Sequence, residues 1–309
     1  MCRFRHVAFA LLVGLIPSPS SASEPGEAGA LFLRFGLGAR ASGMGEAYVA
    51  VAKDATSVFW NPGAMAAVLG TNATVMHNEY FQSIRLEQAA LTHETDYGTI
   101  GLAFVGLYMD DMERFINVPT SGPLGTFSAY DVSAAVGFSR YVLPDLSAGI
   151  VAKLVYENID DFTASGVAFD AGLYHITRIP GVKFAAAVSN IGAKMSFNDD
   201  RFAGTKFPLP ALARLGVSFE RDYPSLNGAV LIAFDGVIPN DGDAKQHIGI
   251  EFAYARRVYL RAGFKGGYDS QGGTFGLGVK YREFLFDYAV QLISNDLGDS
   301  HRFGFSLRI

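Results

Sequence analysis

Few residues of this chain are placed to do covalent chemistry. A hydrolase built on a barrel wall sets Ser two residues from His, so that both side chains leave the same face of a strand. None of the five histidines after residue 6 has Ser at that spacing. His93 and His175 have Thr95 and Thr177 instead. Thr is the poorer nucleophile, and no acid is spaced to orient either imidazole. The histidines therefore read as solvated or girdle residues, and no catalytic residue is assigned. The acid clusters Asp110-Asp111, Asp160-Asp161, Asn198-Asp199-Asp200 and Asp241-Gly242-Asp243 are candidates for Ca²⁺, but none has the EF-hand spacing. They read as solvated loops, with divalent bridging to lipopolysaccharide as the other use. The single Cys, Cys2, excludes a disulfide framework and a Cys-based metal site. No metal and no cofactor is expected. The remaining candidates are Phe59, Trp60, Asn61 and Pro62, which include the only Trp of the chain. These four would either gate a ligand site or anchor a plug. Asn61-Pro62 ends the preceding element and fixes a turn.

The elements that position these residues are strands. From Thr71 to Ile309 the sequence beats with period two. In one stretch Tyr130, Val132, Ala134, Val136 and Phe138 oppose Asp131, Ser133, Ala135, Gly137 and Ser139. The last segment sets Phe303, Phe305, Leu307 and Ile309 against Gly304, Ser306 and Arg308. About fourteen such segments of roughly 9–12 residues follow one another, the length of a tilted strand crossing a bilayer.

Connections alternate between long, such as Met109–Gly125, Asn158–Gly166 and Ala193–Pro208, and short, such as Leu143–Asp145 and Arg282-Glu283. Outer-membrane barrels are built this way, with short turns at one end and longer loops at the other. A turn of Asp222–Ser225 is longer than that rule expects. The less apolar face carries Gly and Ala among charges of both signs: Asp131, Lys153, Asp170, Lys183, Arg214, Glu251, Arg261, Lys280, Asp287 and Arg308. That composition suits a crowded polar lumen better than a solvated sandwich face. Asp131, Lys153, Asp170, Arg261 and Asp287 are expected to pair with one another or with Arg40 and Glu46, since unpaired charge in a confined space is costly. The expected fold is all-β, a transmembrane antiparallel barrel of about 14 strands with a short N-terminal plug inside the lumen.

Composition supports this. Half of the 309 residues are hydrophobic, 13% are aromatic and the net charge is -5, which excludes a disordered chain and argues against a nucleic-acid partner. Arg3 and Arg5, the apolar run Val7–Ile16 and the small residues of Pro17–Ser23 have the layout of a secretory signal peptide. It is expected to be cut after Ala22 or Ser23, giving three parts: signal 1–23, plug 24–69 and barrel 70–309. The expected location is the outer membrane, with outer-membrane lipid and lipopolysaccharide around the barrel.

The stretch Gly36 to Gly63 holds Arg40-Ala41, Gly43-Met44-Gly45, Ala47, Asp54-Ala55 and Asn61-Pro62. It resembles the opening of the PorV/PorQ family, relatives of the FadL-type outer-membrane transporters. Leu209–Val217 is similar to a mid-barrel strand of that family. The resemblance implies a plug motif in Arg40, Gly43, Met44, Gly45 and Asp54. It also implies one of two functions: an accessory or shuttle of type IX secretion carrying secreted cargo proteins, or a conduit for fatty acids and other hydrophobic small molecules. The first is the leading expectation. The C-terminal run, with Gly304, Leu307 and Ile309, is similar to the signal by which the barrel assembly machinery recognises its clients, with Ile where an aromatic is commoner.

Overall fold

The computed structural model describes residues 26–80, 83–117, 121–199, 205–294 and 298–309. The expected signal peptide and Asp200 lie outside them. Fourteen strands form a closed antiparallel barrel: β1 Thr71–Glu79, β2 Arg85–Thr95, β3 Gly98–Tyr108, β6 Ala129–Leu143, β7 Leu146–Ile159, β8 Phe162–Ile176, β9 Val182–Gly192, β10 Leu212–Tyr223, β11 Gly228–Pro239, β12 Lys245–Tyr254, β13 Val258–Gly266, β14 Gln271–Tyr281, β15 Phe284–Ile293 and β16 Ser300–Arg308. A separate two-stranded ribbon, β4 Met112–Glu113 with β5 Thr126–Phe127, stands in the loop between β3 and β6. The ring closes where β16 pairs with β1. There the Thr71 and Ile309 backbones exchange two hydrogen bonds of 2.9 and 2.8 Å. Closure leaves no unpaired edge, which is what a sheet in lipid requires.

One face of the sheet meets the surroundings with Ile100, Leu102, Phe104, Phe138, Ile150, Leu154, Phe169, Phe234, Ile250, Phe264, Phe275 and Phe286, all exposed. Tyr97, Tyr141, Tyr254 and Tyr281 stand exposed beside the tight turns at one end. An apolar belt edged by amphipathic rings is the surface of a sheet immersed in a bilayer. The opposite face is buried: Lys153, Asp170, Lys183, Arg214, Glu251, Arg261 and Asp287 of the expected lumenal set all point inward.

The structure departs from the sequence reading at three connections. Asn158–Gly166 is no long loop. β7 and β8 run past it and turn at Asp160-Asp161, where Asp160 takes the left-handed φ of 57°. The longer β10 ends at Tyr223, and the turn is a single 3₁₀ turn, Pro224–Leu226. The connection between β3 and β6 also carries the ribbon β4–β5, which the sequence does not lead one to expect.

Residues 26–69 fold inside the barrel. A 3₁₀ turn Leu31–Arg34, a helix α1 Ala39–Gly43, a helix α2 Ser57–Trp60 and a second 3₁₀ turn Pro62–Ala67 are joined by irregular backbone. Small side chains and Gly make this packing feasible. Ala41, Met44, Ala47, Tyr48, Val49, Ala50 and Ala52 are fully buried.

Candidate functional site

The inner segment is fixed to the wall along two seams of bare backbone. On the first, a Cβ on Gly43 would lie 2.9 Å from the Gly276 Cα. A Cβ on Gly45, which has φ 62°, would lie 2.6 Å from the Phe264 nitrogen. The facing positions Gly249 and Gly263 are equally closed by Met44 and Gly45. The Gly43-Met44-Gly45 motif thus meets glycines of β12, β13 and β14 at a distance that no side chain permits.

On the second seam Pro62 and Gly63 lie against Gly149 and Gly172. Asn61 locks it. Its amide donates to the carbonyls of Val49 (3.1 Å) and Leu173 (3.0 Å), and its Oδ1 accepts from the Gly63 N–H (2.9 Å). Asn61 is fully buried and caps the turn that Pro62 begins.

Trp60 is buried too. Its indole N–H donates to the Leu37 carbonyl at 2.7 Å, and its ring meets that of Tyr48 edge-on at 5.7 Å. The structure therefore places Trp60, Asn61 and Pro62 in the contact between plug and wall. Phe59, half-buried, packs against all three apolar clusters of the interior.

Charge fixes the orientation of the plug. Arg40 makes paired hydrogen bonds of 2.9 and 2.8 Å to the Glu251 carboxylate, which also takes the Arg261 guanidinium at 2.6 Å. Arg261 reaches on to Asp287 at 2.6 Å. The Tyr48 hydroxyl donates to Asp54 at 2.7 Å, and Asp54 also accepts from the Thr56 backbone N–H at 2.9 Å. The Asp235 carboxylate accepts the N–H groups of Tyr48 (2.7 Å) and Val49 (2.8 Å).

Glu46 faces Lys265 at 2.8 Å and Arg302 at 3.7 Å. Burial opposes its ionisation, but the attraction of Lys265, His247 and Arg302 outweighs that and holds the carboxyl down at about 2. Buried groups of opposite sign that also satisfy each other's hydrogen bonds specify one arrangement more than they stabilise it.

Several of these partners were not named from the sequence. Lys265, Arg302, Asp235 and His247 stand at inward positions that the strand alternation does mark. His247 lies four residues, two pleat repeats, from Glu251, and Lys265 the same from Arg261. The expectation that the histidines are solvated fails at His247, which is buried between the Glu46 carbonyl (3.2 Å) and the Tyr268 hydroxyl (3.0 Å). Lys153 and Asp170 do pair, at 2.6 Å. Asp131 forms no ion pair among the described residues; its register partner across β6 and β7 is Glu157, which accepts the Ala30 N–H at 2.8 Å. In the loops, Asp110 takes Arg85 (2.5 Å), Asp160 takes Arg114 and Asp241 takes Arg34. Among the described residues, no group of three or more His, Cys, Asp and Glu forms a metal-binding cluster.

Towards the end bearing the long loops, the interior becomes apolar on one side. Phe32, Leu37, Met76, Leu86, Val105, Leu107, Val155, Met195 and Leu209 form one buried cluster. Phe35, Phe59, Phe197 and Phe207 pack on it. The last two come from the 193–211 connection, whose inward role nothing in the alternation signals. Beside this cluster, a cavity of about 290 Å³ lies between residues 31–36 of the plug and strands β10–β16. At the other end two further spaces of about 180 and 500 Å³ flank the plug. The interior thus holds separate cavities at the two ends of the plug, with an apolar cluster beside the one at the long-loop end.

No known family model and no curated protein matches the sequence. Solved structures do match in fold. The toluene transporter TodX of Pseudomonas putida aligns with a TM-score of 0.62 at 13% identity, over 88% of this chain and 96% of that one. A TodX variant described as a monoaromatic hydrocarbon channel gives 0.54 at 12% identity, over 89% and 99%. A FadL homologue of Pseudomonas aeruginosa gives 0.52 at 11% identity, over 86% and 96%. The chain has the FadL/TodX type of outer-membrane barrel fold, with fourteen strands and short helices in its N-terminal segment.

Proposed function

We propose that this protein is an outer-membrane conduit for small hydrophobic compounds. The observation that carries the reading is the chamber at the long-loop end, a cavity of about 290 Å³ beside a buried apolar cluster. There, aromatic and aliphatic side chains of the plug, the wall and the 193–211 connection line one side of the interior, in a barrel of the FadL/TodX fold. In a membrane the long loops of such a barrel face outward and the tight turns face the periplasm. A compound would enter the outer chamber and leave by the periplasmic spaces once the segment between them shifts.

The fold and the chamber support this conduit, the alternative raised by the sequence, over the secretion-accessory role put first by the N-terminal resemblance. Phe59 and Trp60 take part because they stand where chamber, plug and wall meet, so the anchor is also the element a passing compound has to displace. Gly304, Leu307 and Ile309 remain the proposed signal for the assembly machinery, on the strand that closes the ring.

Two measurements test the reading. Expression in cells with an intact lipopolysaccharide leaflet raises the uptake rate of radiolabelled toluene severalfold and leaves glucose uptake unchanged. Mass spectrometry of the protein gently extracted from its native membrane finds a retained apolar molecule. Stoichiometric secreted proteins in the extract, with no effect on toluene uptake, would replace the conduit by the secretion role.

A further inference from the structure

The cavity at the long-loop end differs from the apolar cluster beside it in charge. Its lining holds five cations, Arg34, Arg214, Lys245, Lys265 and Arg302, against the one carboxylate of Glu46. Three of the five are engaged: Arg34 with Asp241, and Lys265 and Arg302 with Glu46. Lys245 sits at the rim, bonded to the Gly267 carbonyl.

Arg214 is the anomaly. It is 7% exposed, its Nε is buried without a hydrogen-bond partner, and no carboxylate among the described residues forms an ion pair with it. The acid on the neighbouring strand, Asp235, spends one oxygen on the Tyr48 and Val49 N–H groups. The Arg214 guanidinium stands over the Trp60 ring, 5.0 Å from its centroid. A buried guanidinium with no carboxylate in direct contact is costly to keep, and this one borders a cavity that an anion can enter.

We propose that this cavity binds a small aromatic carboxylic acid as its anion, with the carboxylate on Arg214 and Lys245 and the ring among Phe35, Tyr80 and Tyr268. Arg presents a planar fork suited to a carboxylate. Phe35 and Tyr80 meet edge-on at 5.6 Å on the cavity wall. On the other side the Tyr268 ring faces Lys265 at 4.7 Å and Lys245 at 5.3 Å. A volume of about 290 Å³ stands at the small end of ligand sites, which span roughly 300–1,000 Å³. It holds an acid of one or two rings and is too short for an extended long-chain acid. The inference deepens the conduit reading by naming what the outer chamber selects, and it rests on that reading for the route.

Trp60, the only Trp of the chain, reports on Arg214 directly. The purified barrel in detergent is titrated with benzoate, benzamide and inorganic phosphate, following calorimetric heat and Trp60 emission. Benzoate is expected to bind with a Kd at least tenfold below those of benzamide and phosphate and to change Trp60 emission. Arg214→Gln raises the benzoate Kd at least tenfold. Lys245→Gln, at the rim, raises it severalfold, and this variant decides the matter if Arg214→Gln does not fold. Equal affinity for benzoate and benzamide overturns the proposal, as does phosphate binding as tightly as benzoate, or a benzoate Kd unmoved in the folded variants. The toluene uptake measurement separates the two readings. Uptake of toluene without preference for benzoate overturns the anion site alone, and benzoate binding without any uptake overturns the conduit alone.

Discussion

The two sides of the lumenal wall hold the same plug by different physics. Strands β12, β13, β14 and β16 meet it with ions and hydrogen bonds from Glu251, Lys265, Thr274 and Arg302, and Arg261 and Asp287 back Glu251 from within the wall. Strands β1–β3, β7 and β8 meet it largely with Met76, Leu86, Val105, Leu107, Val151, Val155 and Ala168. Ionic partners have one satisfactory arrangement, so that side sets the position of the plug. Apolar contacts are non-directional, and a hydrophobic guest can replace them at little cost. The ionic side is therefore the fixture, and the apolar side is the one that can yield when the plug shifts, as the proposed conduit requires.

Substitutions can break this division, and the largest effect belongs to the glycine seam. Gly263→Leu drives a side chain into the backbone of Met44 and Gly45. The obstruction is backbone, so the cost exceeds the about 1–3 kcal/mol of ordinary overpacking. The heat-modifiable folded band in unheated gel electrophoresis is expected to vanish. Next, Glu251→Gln removes the carboxylate shared by Arg40 and Arg261. It is expected to lower unfolding stability by about 3–5 kcal/mol in urea titrations of the vesicle-reconstituted barrel.

Acid should act on the same side through Glu46, whose carboxyl titrates near 2 instead of its ordinary 4.5. Because the folded-state value lies below the unfolded one, its contribution is whole above about pH 4.5 and is lost as pH falls towards 2. Glu46→Gln flattens the stability curve across that window, and an unchanged acid limb would remove Glu46 from the fixture. The smallest loss belongs to the apolar side. Val155→Ala costs about 1.5 kcal/mol, at ~0.8 per methyl removed, yet it is the substitution expected to raise toluene uptake. Slower uptake would deny the apolar side its role.

Strand number was legible because alternation is a local property. Each of the fourteen segments carries its own inward and outward face, as Tyr130–Phe138 does. The turn at Asp160-Asp161 was not legible, since Thr163–Gly166 is polar and small. It is held in β8 partly by Met195, which packs where a Cβ on Gly166 would be, from a distant connection. The plug motif announced itself by its glycines, and its purpose became clear only when wall glycines at 249, 263 and 276 were seen facing it. Glu251 was visible as an inward charge. Its division between Arg40 and Arg261 depends on the depth at which the plug sits, which no strand period encodes. The apolar cluster beside the chamber was hidden for the same reason: Phe32, Phe35, Phe197 and Phe207 come from irregular segments without periodicity.

The closing seam between β1 and β16 carries a consequence for the order of assembly. α1 lies against β13–β16 inside the ring, and the chain leaves the interior at Gly70, directly beside Ile309. A segment made before the strands is thus enclosed by a wall that closes only when β16, the most C-terminal of them, pairs with β1. A segment gripped by bare-backbone contact on two sides is seated more readily while the wall is still open than in a finished ring.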